Sequence, residues 1–236
     1  MIEFEQATVV AQGADGPDGR AVDVTILHPV TCRLTERRIA VVGANGSGKS
    51  TLARLVNGLA TPSSGRVVVD GLDTVRDGAA VRRRVGFVFT DPDAQLVMPT
   101  PREDVALSLR RLPVDRAERD ERVRAVLGRF GLADRAEVSV HALSGGQKQL
   151  LALAGVLATE PAVLVCDEPT TLLDLRWRRV VDHLLDALDQ QVLQVTHDLE
   201  AAARADRVLV VDAGHVVFDG PAADGVGHYR DLMAVR

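Results

Sequence analysis

Lysine is nearly missing: of the 28 lysines and arginines, only Lys49 and Lys148 are lysine. A chain that has drifted to arginine fills its solvated surface with arginine, so a lysine kept between glycines marks a site that wants a small point charge. Cysteine is as scarce. Cys32 and Cys166 sit in unrelated contexts, and Cys166 closes the apolar run AVLVC, so it reads as a buried thiol and not as half of a disulfide or a reactive group. Long apolar runs are absent, with no segment near the ~20 residues of a membrane span. The N-terminal MIEFEQATVV carries charges where a signal peptide needs an apolar stretch. These absences predict a soluble, cytosolic chain. Neither sign of charge dominates: 33 acidic residues against 28 basic give a net charge of -5. That balance excludes strong general attraction to nucleic acid or anionic lipid and makes any anion site a local one.

What is present is core-forming. The chain has 236 residues, 46% of them hydrophobic, enough for one large domain or a domain carrying a smaller subdomain. Runs rich in valine and isoleucine occur at Arg38 to Gly43, Arg66 to Asp70, Val85 to Phe89, Ala162 to Asp167, Gln191 to Thr196 and Arg207 to Asp212, and each predicts a buried strand. Helical patterns at Lys49 to Asn57, Leu172 to Leu188 and Leu199 to Arg204 alternate with them, as a parallel sheet with crossovers requires, so the fold class is α/β. From Pro101 to Leu157 the alternation stops. Arg116 to Phe130 is charged and amphipathic and ends at Gly131, and Thr100 to Glu103 (TPRE) orders a cap, a first-turn proline and a capping-box glutamate. Residues of roughly 100–158 therefore read as a helical subdomain inserted in a single domain spanning 1–236. Ala11 to Arg20 (AQGADGPDGR) reads as a turn-rich hairpin loop.

Three motifs carry chemistry. GANGSGKST, Gly43, Ala44, Asn45, Gly46, Ser47, Gly48, Lys49, Ser50 and Thr51, matches the phosphate-loop pattern in full and lies between an apolar strand and a helical run. Its glycines let backbone amides fold around phosphate oxygens, the helix N-terminus adds positive potential, and Ser50 is suited to ligate Mg2+. Lys49 reaches the β and γ phosphates as a compact charge, where a planar guanidinium would demand more room. AVLVCDEPTT (Ala162 to Thr171) delivers two carboxylates at a strand end: Asp167 suits Mg2+, and Glu168 suits polarising a water. LSGGQKQ (Leu143 to Gln149) opens an apolar helix with Ser144, Gly145, Gly146 and Gln147, a second amide-rich N-terminus.

In that order the motifs resemble the nucleotide-binding subunit of ATP-binding-cassette proteins, with the signature at Leu143 to Gln147, and the resemblance covers essentially the whole chain. It implies a phosphate-loop ATPase core with a parallel sheet, antiparallel β elements near the N-terminus and the inserted helical subdomain. It implies that Asp174 lies in the loop after the catalytic Glu168 and that His197 is the switch histidine. It also implies a dimer of ATPase subunits, identical or paired with a related chain, in which the phosphate loop of one faces Ser144 to Gln147 of the other across ATP. Val85 to Leu107 is most similar to energy-coupling-factor transporters, which implies integral membrane partners, a place at the cytoplasmic face of the membrane, and uptake of a vitamin or metal ion such as biotin or cobalt.

The chain departs from that pattern at three points. Thr90 stands where the family has a glutamine that touches magnesium, and Gln95 is the candidate substitute, although in this subfamily it matches a second, separate glutamine. Ala7 to Gln12 offers no aromatic ring for adenine, from which weak or less base-selective binding is expected. Leu150 replaces an arginine. Val97 and its neighbours in QLVMPT (Gln95 to Thr100) suit either a groove for a partner's coupling helix or subdomain core, and Arg82 to Arg84 and Arg176 to Arg179 read as solvated edges. A soluble cassette acting on nucleic acid or ribosomes is the alternative class. One phosphate loop, an acidic balance and 93 positions between Thr51 and Ser144, room for only an ordinary helical subdomain, weigh against it.

Overall fold

The computed structural model describes residues 1–15 and 21–234. Two sheets form. The first is antiparallel, built from β1 (Ile2–Asp15), β2 (Ala21–Leu34), β4 (Ser64–Val69) and β5 (Leu72–Asp73) in the order β2-β1-β4-β5. The second has the order β10-β9-β3-β8-β7-β6, from β3 (Arg38–Val42), β6 (Val85–Val88), β7 (Val163–Asp167), β8 (Gln191–Val195), β9 (Arg207–Asp212) and β10 (His215–Pro221). All its pairings are parallel except that of β10 with β9.

The valine-rich runs make central strands because both faces of this sheet are covered. Ile39, Val41, Val163, Val165, Leu193, Val195, Leu209 and Val211 point to one side, where they pack on α1 (Lys49–Val56) and the antiparallel sheet. On the other side, Val88, Leu164, Cys166 and Val192 meet α5 (Gly145–Leu157) and α6 (Leu175–Asp186). Ala40, Val42, Val208 and Val210 meet α7 (Leu199–Ala203) and α8 (Ala222–Ala234). α2 (Gly78–Arg84) leads into β6. No strand lies between Pro101 and Leu157; α3 (Pro101–Ser108), α4 (Arg116–Arg129) and α5 fill that stretch. The expected start of α3 is present, with Thr100 Oγ1 accepting from the Glu103 N–H at 3.3 Å.

Three expectations need correcting. Arg66 to Asp70 is a strand, but it pairs antiparallel with β1 and so belongs to the other sheet. The helix expected from Leu172 begins at Leu175, because the Asp174 carboxylate accepts from the Trp177 N–H at 2.9 Å and fixes the start there. The loop expected at Ala11 to Arg20 is shorter: β1 continues to Asp15 and pairs through to β2, and residues 16–20 lie outside the described residues. Both cysteines are free; Cys166 is buried, and burial pushes both thiols well above the usual range, Cys32 to about 12.

Candidate functional site

Parallel strands collect their carboxyl ends along one edge of the sheet, and ligands of such folds bind there. β3 ends in the glycine loop, β7 in Asp167 and Glu168, and β8, lying between them, in Thr196 and His197. Gly43 closes β3 so tightly that a Cβ on it would fall 2.0 Å from the Val211 carbonyl oxygen. Ala44 O accepts from the Ser47 N–H at 3.2 Å, and Gly214 N–H donates to Ser47 O at 2.9 Å, tying the loop to the turn between β9 and β10. Asn45 and Gly46 form its exposed crest, and Gly48 is the cap from which α1 departs. Ser47 Oγ is buried and, among the described residues, has no hydrogen-bond partner, a polar atom left open inside an amide-lined loop.

Lys49, only 4% exposed, donates from Nζ to Gly43 O at 2.9 Å and Ala44 O at 2.8 Å. Burial pulls its ammonium below the usual lysine range, against Glu168 and Asp167, which favour the charge. Ser50 Oγ donates to Asp167 Oδ1 at 2.8 Å, and Thr51 continues the first turn of α1. Burial raises the Asp167 carboxyl above the usual range despite the Ser50 bond and Arg54, whose Nη2 is 3.6 Å from Oδ2. Glu168 sits in the left-handed region at φ 51°, its N–H donating to Val195 O at 3.0 Å. For a residue with a side chain that conformation costs roughly 1 kcal/mol, a cost seen most often at working sites. Its Oε2 accepts from Thr171 Oγ1 at 3.0 Å and lies 3.5 Å from His197 Nδ1.

Gly43 to Thr51, Asp167, Glu168 and His197 thus share one end of the sheet. The signature residues do not join them: among the described residues no hydrogen bond or ion pair links 144–147 to 43–51. Ser144 caps α5 in a complete capping box, accepting from the Gln147 N–H at 3.3 Å while Gln147 Oε1 accepts from the Ser144 N–H at 2.9 Å. Ser144 and Gly145 are exposed and Gly146 is buried. Asp174 is the exposed cap of α6.

Several partners of these residues went unread. Thr171 on Glu168 and Arg54 on Asp167 carry no sequence signal beyond nearness to a motif. Thr90 Oγ1 donates to the Asp167 main-chain carbonyl at 2.7 Å, so the departure from glutamine has a structural role. Gln95 does not replace that glutamine: Oε1 accepts from the Phe89 N–H at 3.1 Å and Nε2 donates to Ala152 O at 3.2 Å, so both ends of its amide are committed to backbone. Leu150 is buried in the core beneath the helical subdomain. Leu96 packs on that same helical core, whereas Val97 is 69% exposed beside a cavity of about 490 Å³ that Met98 and Val140 also line. Asp104 Oδ1 holds this turn by accepting from the Val97 N–H at 3.0 Å and the Met98 N–H at 3.1 Å. At its rim Lys148 pairs with Asp93 at 2.7 Å.

Residues 27–171 match the profile of the ABC transporter family. The chain is 45% identical over 208 residues to the biotin transport ATP-binding protein BioM of Rhizobium etli, covering 88% of this chain and 92% of that one. It is 41% identical over 200 residues to the energy-coupling factor transporter ATP-binding protein EcfA1 of Halalkalibacterium halodurans, covering 83% and 72%. Among solved structures, it superposes on the ATP-binding cassette MJ0796, a dimer in a post-hydrolysis state bound to ADP and Pi, with a TM-score of 0.82 at 28% identity, covering 94% of this chain and 99% of that one.

Proposed function

The chain belongs to the ABC transporter family, and from that premise we propose that it is the ATP-hydrolysing subunit of an energy-coupling-factor-type importer. The observation that carries the reading is the convergence, at the ends of three neighbouring parallel strands, of the phosphate loop, the Ser50–Asp167 pair at 2.8 Å and the Glu168–His197 pair at 3.5 Å. The whole chain acts as one cassette, with residues of roughly 100–158 as its helical subdomain.

Amides of Gly43 to Thr51 and the start of α1 receive the ATP phosphates, and Lys49 sets its charge between them. The Ser50 hydroxyl and Asp167 carboxylate are hard oxygen donors at hydrogen-bond separation, the set Mg2+ prefers, and Arg54 and Lys49 favour the charged form of Asp167 against burial. Bound there, Mg2+ neutralises charge on the phosphate oxygens. Glu168, fixed through its N–H and Thr171, orients and polarises the attacking water, and His197 borders it on the side of β8. Ser144 to Gln147, exposed at Ser144 and Gly145 and unbonded to the loop, serve the ATP of a second ATPase subunit, with Asp174 in the same interface.

An integral membrane partner docks beside Val97 and Met98, and through it the chain works at the cytoplasmic face of the membrane; among the described residues no helix is long and apolar enough to cross a membrane. A vitamin or metal ion such as biotin or cobalt is the cargo, a reading supported by the relative named for biotin transport. Glu168→Gln should trap the ATP-bound assembly. Expressed with a tag and solubilised in mild detergent with ATP and magnesium, it is expected to co-purify with a small integral membrane protein identifiable by mass spectrometry. Recovery with soluble proteins or nucleic acid alone would sink the importer reading.

A further inference from the structure

The first turn of α6 touches three working parts at once. Its cap is Asp174, which accepts from the Trp177 N–H at 2.9 Å. The Trp177 indole lies flat on the signature: a Cβ added to Gly146 would fall 2.2 Å from ring atoms Cγ and Cδ2. One residue on, Arg178 Nη1 donates to Asp198 Oδ2 at 3.2 Å. Asp198 follows His197, and its other oxygen caps α7 by accepting from the Glu200 N–H at 2.9 Å. Trp177 is the only tryptophan in the chain.

We propose that Trp177 is the positioning residue of the signature turn: the indole on Gly146 fixes where the amides at the head of α5 point, and the same turn, through Asp174 and Arg178, ties that setting to the loop after Glu168 and to the His197 strand end. The inference rests on reading Ser144 to Gln147 as the contact to ATP in a second subunit. Its physical basis is that a rigid ring with two torsions, pressed on a residue without a side chain, leaves little freedom between the heads of two helices. Gly145, one step outward, has open space about its Cα, so at the exposed crest of the turn no side chain packs as Trp177 does on Gly146. Trp177 packs on the helical core, and among the described residues no hydrogen bond, ion pair or ring contact joins it to the phosphate loop or Glu168, so its loss should spare ATP binding to the subunit's own loop and slow turnover.

The test compares Trp177→Ala and Trp177→Phe in the full-length chain, measuring steady-state kcat and KM for ATP and, under monomeric conditions, the affinity for a fluorescent ATP analogue. Trp177→Ala is expected to lower kcat by about tenfold or more, with analogue affinity held within about twofold. Trp177→Phe, which keeps a flat ring, should recover most of the loss. A smaller fall in kcat, an equal fall in affinity, or a Phe variant as slow as Ala would overturn the proposal. If Trp177→Ala does not fold, Trp177→Leu, apolar but not flat, replaces it on the same readouts. Glu168→Gln run in parallel separates the two levels: if it too hydrolyses normally, the site assignment fails, whereas its inactivity beside an unaffected Trp177→Ala overturns this inference alone.

Discussion

Lys49 and Asp167 are charges taken out of water before any ligand arrives. Two of the three ammonium donors of Lys49 are spent on Gly43 O and Ala44 O, which leaves one for a ligand, and the compact charge fits a buried loop where a planar guanidinium would demand more room. The linkage sign for Asp167 follows from its raised pKa. The folded state holds that proton more tightly than the unfolded chain, so its contribution is favourable below the ordinary carboxylate pKa and is lost as pH rises through the folded value. At neutral pH the ionised group therefore costs stability. Asp167→Asn is expected to raise the melting temperature of the nucleotide-free chain at pH 7 by a few degrees, on the order of 2–4 °C, with the gap closing as pH falls toward 4. The same variant should lose about a hundredfold or more in ATPase rate. Thermal melts at three pH values, with a rate assay at neutral pH, check both halves; a lower melting temperature at pH 7 would mean that the Ser50 and Arg54 contacts outweigh burial.

Elements were legible where one local rule acted alone. The TPRE start of α3 is such a case, and Thr100→Ala should remove about 1 kcal/mol, seen as a melting temperature lower by about 2–4 °C with the ATPase KM unchanged. Central strands were legible because burial on both faces leaves an unbroken apolar run, and the phosphate loop because its residue spacing is itself the chemistry. Partnership was not legible. Val67 and Val69 are as buried as any strand residue, yet nothing in their sequence says that β4 joins β1 and not β3. β10 alternates half-buried and exposed residues as an antiparallel edge and offers no apolar run. α8 carries Gly225 and Gly227, which weaken a helical pattern, and α2 is a single seven-residue stretch with only Val81 buried. In the site, the sequence shows Gly146 as an amide donor and does not show the ring above it, because a contact between residues 31 positions apart has no local signature.

At the scale of the whole molecule, one chain carries two halves of a site on surfaces that do not meet. The phosphate loop ends β3, while Ser144 and Gly145 stand exposed at the head of a helix packed on the other face of the sheet. On the proposed reading a completed site needs the signature of a second subunit, and ATP, held between a phosphate loop and a helix N-terminus from opposite sides, supplies the attraction that a chain with net charge -5 otherwise lacks toward its own copy. Association should therefore depend on nucleotide. Glu168→Gln with ATP and magnesium is expected to run as a dimer by light scattering and as a monomer without nucleotide or with ADP. Adding Ser144→Arg, which sets a bulky cation in the seam, should return it to monomer while leaving the affinity of its own phosphate loop for an ATP analogue within about twofold. A dimer that forms equally without ATP would place the association surface elsewhere and detach the signature from the nucleotide.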